Sequence, residues 1–352
     1  MFADVHSGAA ESEGAEVRAA LADEPLSDNA RTGAEFRILV EGCGVYTLDT
    51  RGKVLVTGED RTRWLNGMVT NNVRDLAPSH GLYAFLLNAQ GRIQGDLYAF
   101  NRGDRIVLDV DCAQAAKLIG LFDHYIVMDD VVIEDVTNQL AAVGVQGPKA
   151  KAALETAGIA VPELEPLQLA GLTWRGAEIT LLRAEAWKGE AYEIWVGPEK
   201  VSALTEALQE AGSAAVGAAA QRLYRMAAGI PLFREDIRER DLPQETGQER
   251  ALHFAKGCYV GQEIVERIRS RGQVHRVFSG FELTAPCAAG DKIEADGKEV
   301  GEITSTANFS GPEESRWIGL GYLRREAFGK ALSVHGAAVR RHELPFEELL
   351  QH

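Results

Sequence analysis

The 352-residue sequence predicts an α+β protein that ends in a small all-β barrel, and three features carry that expectation. A β-rich run, a glycine and a helical pattern follow one another at 53–57, Gly58 and 64–69, and the same order recurs at 141–146, Gly147 and 149–157. From Arg276 onward, short strands alternate with Gly- and Pro-bearing turns and helical patterns almost vanish. The composition, 45% hydrophobic and 25% charged, is that of a globular chain, and its length allows two or three cores.

The elements follow in order. Residues 36–40 fit a short strand or a helical turn. Strands at 45–48 and 53–57 are split by the turn 49–52, and Asp60 is placed to cap the helix that follows. Strands at 83–87 and 96–101 form a hairpin around Asn88-Ala89-Gln90-Gly91-Arg92. A strand at 105–110, an amphipathic helix at 113–125 and a strand at 131–136 come next, then strands at 179–182 and 191–196 and a helix at 199–211. The helix at 219–229 is stopped by Gly229-Ile230-Pro231. The two strand–glycine–helix units stand about 90 residues apart, as in an internally duplicated domain or as in any chain that repeats a common unit.

Charge and cysteine usage exclude several classes. Lys plus Arg is 37 and Asp plus Glu is 52, a net −15 that opposes direct nucleic-acid binding. Residues 1–37 contribute −5 of this and read as an acidic, disordered tail. Cys43, Cys112, Cys258 and Cys287 are scattered without metal-ligand spacing, so no resident metal is expected. Neither a membrane-length apolar run nor a secretory leader is evident, and a cytoplasmic protein is expected, without membrane association. Hydrolase, P-loop and dinucleotide-binding signatures are missing.

The densest unusual stretch is Lys256-Gly257-Cys258-Tyr259-Val260-Gly261-Gln262-Glu263, followed by Arg267. Its glycines free the backbone, and a helix follows shortly after Cys258. Lys256 beside the sulfur and a nearby helix N-terminus would together favour a thiolate. A lone cysteine is otherwise most often a small buried apolar residue. Arg267, Arg269, Arg271, His275 and Arg276 form a basic cluster, suited to phosphates of RNA, to a folate glutamate tail, or simply to solvent.

The Lys256–Glu263 stretch with Arg267 resembles the signature of the YgfZ family of folate-binding proteins, relatives of the glycine-cleavage aminomethyltransferase. Further carriers are residues 51–58, 86–92, 189–194 and 225–231, and the resemblance runs from Val45 to Phe346. It implies an α+β, three-domain aminomethyltransferase-like fold: an α+β region over 38–275, of two intertwined subdomains around a central folate hole, and a C-terminal β-barrel over 276–352. It implies a tetrahydrofolate-binding accessory protein for assembly or repair of iron–sulfur enzymes, including those that modify tRNA, rather than a stand-alone enzyme. Its partners would be folate, client enzymes or cluster carriers, and the chain would act as a monomer.

Under that resemblance Cys258 is the working thiol, assisted by Lys256 and able to hold an iron–sulfur cluster transiently. Gly257, Tyr259, Gly261, Gln262, Glu263 and Arg267 complete the motif. Asn88, Asp96, Glu190, Tyr192, Glu193 and Arg225 are assigned to folate. A carboxylate suits a pterin because its two oxygens accept from a ring N–H and the adjacent amine. The aminomethyltransferases carry two adjacent aspartates where this chain has Gly95-Asp96, and loss of the first argues against the alternative, a folate-dependent aminomethyltransferase or demethylase.

Overall fold

The computed structural model describes residues 28–310 and 315–347. Most of the expected acidic tail lies outside the described residues, but its last part does not. Asp28–Glu41 is a helix, α1, that buries Phe36 and Leu39. Residues 28–37 are therefore part of the fold, and the segment left open around Phe36 is helical.

The first sheet comprises β2 (Arg51–Thr57), β3 (Gly81–Leu87), β4 (Ile93–Asn101), β5 (Ile106–Asp111) and β6 (Val132–Asp135), ordered β3-β4-β5-β2-β6. The helices α2 (Arg61–Met68) and α3 (Cys112–Tyr125) cover one face, packing Trp64, Leu65, Leu118 and Phe122 against Val54, Val56, Leu97 and Leu108. Asp111 caps α3 by accepting from Ala113 N at 2.8 Å. Asp60 precedes α2 without such a bond; its carboxylate accepts instead from Asp130 N and Arg63.

The second sheet repeats the plan. It is formed by β1 (Gly44–Thr47), β7 (Ala141–Gly147), β8 (Leu169–Trp174), β9 (Ala177–Ala184), β10 (Glu190–Val196) and β11 (Ala214–Ala215), ordered β11-β1-β7-β10-β9-β8. Its outer face is packed by α4 (Ala150–Thr156) and α5 (Val201–Glu210) through Ala153, Leu154, Leu204 and Leu208. Two sheets, each with helices on its outer side, meet face to face along a seam of Phe100 and Val107 from one and Ala142, Leu169, Leu182 and Trp195 from the other. Phe100 and Trp195 cross edge to face at 5.1 Å, the arrangement preferred by opposed ring quadrupoles.

The C-terminal strands β12 (Arg276–Leu283), β13 (Lys292–Ala295), β14 (Lys298–Ser310), β15 (Ser315–Arg324), β16 (Leu332–Val334) and β17 (Ala337–His342) close into a barrel ordered β12-β15-β14-β13-β16-β17. Closure leaves no free edge to pair with another chain. α1 and α6 (Ala218–Ala227) share a core with the barrel, in which Phe36, Leu223 and Met226 meet Phe278, Phe309 and Tyr322. The last helix, α7, spans Gln262–Arg271.

One buried carboxylate bolts the barrel on. Asp236, fully buried, accepts from Thr304 Oγ1 at 2.5 Å and Ser305 Oγ at 2.7 Å, both on β14. Its other oxygen accepts from Arg225 Nη1 at 2.6 Å and Leu232 N at 3.0 Å. Four donors satisfy a charge that would otherwise be prohibitive to bury. Replacing Asp236 by Ala leaves the Ser305 hydroxyl and Leu232 N without this acceptor and Arg225 with only Ile230 O and Glu235, and is expected to cost about 2–4 kcal/mol in a urea unfolding titration.

Candidate functional site

A cavity of about 570 Å³ opens at the seam between the two sheets. Strand alternation decides what reaches it. On β2, Arg51, Lys53 and Leu55 point to the seam while Val54 and Val56 point to the outer core. On β4, Tyr98 and Phe100 line the cavity, while Leu97 and Ala99 face the helices. On β10, Glu193 and Trp195 face inward, while Tyr192 and Ile194 join the α4/α5 core.

The floor is an ion cluster. Asp109 Oδ1 accepts from Arg51 Nε and Oδ2 from Lys53 Nζ, both at 2.7 Å. Lys53 is fully buried, its ammonium 4.7 Å from the Trp195 ring centroid. Burial would raise the Asp109 pKa, but the charges of Arg51 and Lys53 hold it below the ordinary value. Glu193 moves the other way: burial first and the Asp109 charge second raise its pKa, opposed by Lys53, the Trp195 N–H and Arg51. Trp195 Nε1 donates to Glu193 Oε2 at 3.1 Å. At the rim Arg250 pairs with Glu185 and stacks over Tyr83 at 4.4 Å.

The cysteine loop is a second, separately built feature. Lys256 Nζ donates to the carbonyls of Asn66, Val69 and Asn71, each at 2.6 Å. Burial lowers the Lys256 pKa, and three carbonyl acceptors favour its ammonium form. All three protons are thereby committed to backbone oxygens, so Lys256 anchors the loop instead of serving the Cys258 thiol as expected. Cys258 itself is exposed, and Tyr259 beside it is buried. Gly261 adopts φ +82°, and a methyl group there would lie 2.5 Å from Asn88 O. Gly91 answers with φ +70°, where a Cβ would meet Ile264 at 2.7 Å. The two motifs singled out in the sequence thus dock glycine against glycine, which only residues without a Cβ permit.

Residues 22–256 match the family model for the GCVT N-terminal domain, and residues 277–345 match that for the CAF17 C-terminal β-barrel domain. The chain belongs to the GCVT domain family. It is 29% identical to an aminomethyltransferase of Rubrobacter xylanophilus over 301 residues, covering 84% of this chain and 80% of the relative. It is 25% identical over 288 residues to a putative chloroplastic transferase of Arabidopsis thaliana, covering 81% of this chain and 66% of the relative. The crystal structure of aminomethyltransferase T of the glycine cleavage system from Bartonella henselae superposes with a TM-score of 0.80 at 21% identity, covering 90% of each chain. That likeness establishes the α+β, aminomethyltransferase-like fold.

Within this GCVT fold, the six residues assigned to folate by resemblance separate. Only Glu193 of the six is among the described residues that line the cavity. Glu190 and Tyr192 lie on the opposite face of β10, where Arg183 Nη1 donates to both at 2.6 Å. Arg225 is held by Asp236 and Ile230 O. Asn88 Oδ1 accepts from the backbone N–H groups of Gln90 and Arg92, shaping the hairpin. Asp96 accepts from Tyr83 Oη at 2.7 Å and Gln114 Nε2 at 2.8 Å.

Gly95 points away from the cavity. A Cβ on Gly95 would meet Leu118 at 2.6 Å and Gln114 at 2.8 Å, so position 95 faces α3. Asp96 is on the face of β4 shared with Tyr98 and Phe100, although it is not among the described residues that line the cavity. Arg51, Lys53 and Asp109 were missed because each looks like an ordinary charged strand position. The signal available was alternation: Lys53 and Asp109 interrupt the apolar face that Leu55 and Val107 continue.

The basic cluster is largely neutralised. Arg267 pairs with Glu263, Arg269 with Glu266, and Arg276 turns inward to Asp241 and Glu245. Motif members Gln262 and Glu263 open α7, and Gly257 stands exposed beside Cys258. Replacing Lys256 by Met leaves three carbonyls without a donor and is expected to cost about 2–3 kcal/mol or more in urea unfolding. Cys258→Ser should shift the same titration by less than about 0.5 kcal/mol, because the site is exposed.

Proposed function

We propose that this chain is a tetrahydrofolate-binding accessory protein that serves the assembly or repair of iron–sulfur enzymes, including tRNA-modifying ones, with Cys258 as its working thiol. The observation that carries the folate half is Glu193: a carboxylate set in an apolar-walled cavity of about 570 Å³, with one oxygen held by Trp195 and the other open to a ligand. Such a group accepts from the amine and ring N–H of a pterin, and the cavity volume lies in the range of small-molecule sites. Arg250 and Tyr98 at the rim offer a cation and an aromatic face to the remainder of the ligand.

The accessory half is supported by the CAF17-type barrel and by the exposed thiol on a loop anchored from beneath by Lys256. Among the described residues no group of three or more His, Cys, Asp or Glu is placed to hold a metal ion. An iron–sulfur cluster would therefore be cargo, sharing Cys258 with ligands from a donor or client. The second reading, a folate-dependent aminomethyltransferase or demethylase, is favoured by Asp96 on the cavity side of β4. Both Asp96 oxygens, however, already accept hydrogen bonds from Tyr83 and Gln114.

Calorimetry with 5-formyltetrahydrofolate tests the folate half. Glu193→Gln should weaken binding about 10- to 100-fold, the loss expected for charge-assisted hydrogen bonds. Only the ionised carboxylate accepts both N–H groups, and burial raises its pKa above the ordinary 4.5. Affinity should consequently fall as the pH is lowered, beginning above that value, and the Gln variant should lose this dependence.

For the accessory half, a strain lacking its own copy of the protein is complemented with Cys258→Ala. Normal folate binding with failed recovery of a tRNA-thiolating iron–sulfur enzyme is expected. Full recovery would rule out the thiol's role, and turnover of dimethylglycine or of a glycine-derived methylene donor would favour the enzyme.

A further inference from the structure

The folate reading, on which this inference rests, accounts for Glu193 but leaves the neighbouring cation unexplained. Arg51 lines the same cavity and keeps 21% of its side chain accessible. Nε donates to Asp109 Oδ1 at 2.7 Å and Nη2 to Asp109 O at 3.0 Å, which fixes the plane of the guanidinium. Nη1 has no partner among the described residues. Glu193 Oε1 is likewise without one, since Trp195 takes Oε2. Arg51 and Glu193 line the same cavity, so the open donor and the open acceptor border one space.

A carboxylate beside a guanidinium N–H is the complement of a ring edge that runs amine, ring N–H, carbonyl. The amine and ring N–H donate to Glu193, and the carbonyl accepts from Arg51. A 2-amino-4-oxo pteridine has that edge. Its 2,4-diamino counterpart turns an amine toward the guanidinium, where two donors meet and neither finds an acceptor, and its unprotonated N3 offers Glu193 a lone pair in place of the ring N–H. Lys53 makes the arrangement rigid: a second cation on Asp109, wholly buried, stabilises the carboxylate that holds the Arg51 plane. We propose that Arg51 is the specificity-determining residue of the cavity, selecting 4-oxo pteridines over 4-amino pteridines by donating to the ring carbonyl while Glu193 takes the amidine edge.

Folic acid and aminopterin differ only in that 4-substituent, and calorimetric titration of the full-length protein with each is the test. The wild type should bind folic acid about 10- to 100-fold more tightly, the range for one charge-assisted hydrogen bond against an unpaired donor. In Arg51→Met, with folding checked by thermal unfolding, the ratio should shrink about 3- to 10-fold, mainly through weaker folic acid binding, while the preference of Glu193 for a protonated N3 remains. If that variant does not fold, Arg51→Lys, which keeps a cation on Asp109 but loses the planar fork, should still reduce the ratio. Equal affinities in the wild type, or an unchanged ratio in the folded variant, overturn the role of Arg51 and leave the folate reading standing. Binding of neither pteridine overturns the role of Arg51, and absence of 5-formyltetrahydrofolate binding as well overturns the folate reading.

Discussion

The ammonium of Lys53, buried between two sheets, is the constraint on which the site depends. A lone cation there would be expelled or neutralised. Asp109 on the neighbouring strand and the face of Trp195 on the opposite sheet make it tolerable. The register that pairs Lys53 with Asp109 across β2 and β5 is thereby tied to the approach of the second sheet. A one-residue slip would place both charges among the apolar side chains under α2 and α3. The same cluster gives the cavity its electrical character, holding Asp109 ionised and orienting Arg51, while burial raises the pKa of Glu193 against the pull of both cations.

Around this seam the molecule is assembled by a few polar fastenings set in apolar surroundings. Asp236 gathers hydroxyls from the barrel, an arginine from α6 and a backbone N–H of the intervening loop. Lys256 gathers three carbonyls from the last turn of α2 and the segment after it. Each joins parts far apart in sequence, and each would be costly to leave half-made. Cys258 thus sits on an immobilised loop although it is itself exposed, a combination that suits a thiol offered to a partner better than one held for packing.

The resemblance located the important strands but could not orient them. In 189–194 it marked Glu190, Tyr192 and Glu193 together, yet adjacent strand residues point to opposite faces, and only one of the two carboxylates can enter the cavity. The same parity separates Gly95 from Asp96. Arg225 and Lys256 carry the charges expected of ligand or thiol partners, but their hydrogen bonds go to Asp236 and to three carbonyls of the folded chain.

The sequence by itself determined the α+β region, the closing barrel, the hairpin around Asn88 and the glycine-bearing cysteine loop, because these follow from local alternation, turn chemistry and apolar spacing. Which side chains face the cavity was decided only by tertiary structure. That choice depends on which sheet face is buried against helices and which against the other sheet, and two faces that are both largely apolar look alike in one dimension. Charged residues such as Arg51, Lys53 and Asp109 acquire their meaning only when strands 58 and 56 residues apart in sequence bring them to a single point.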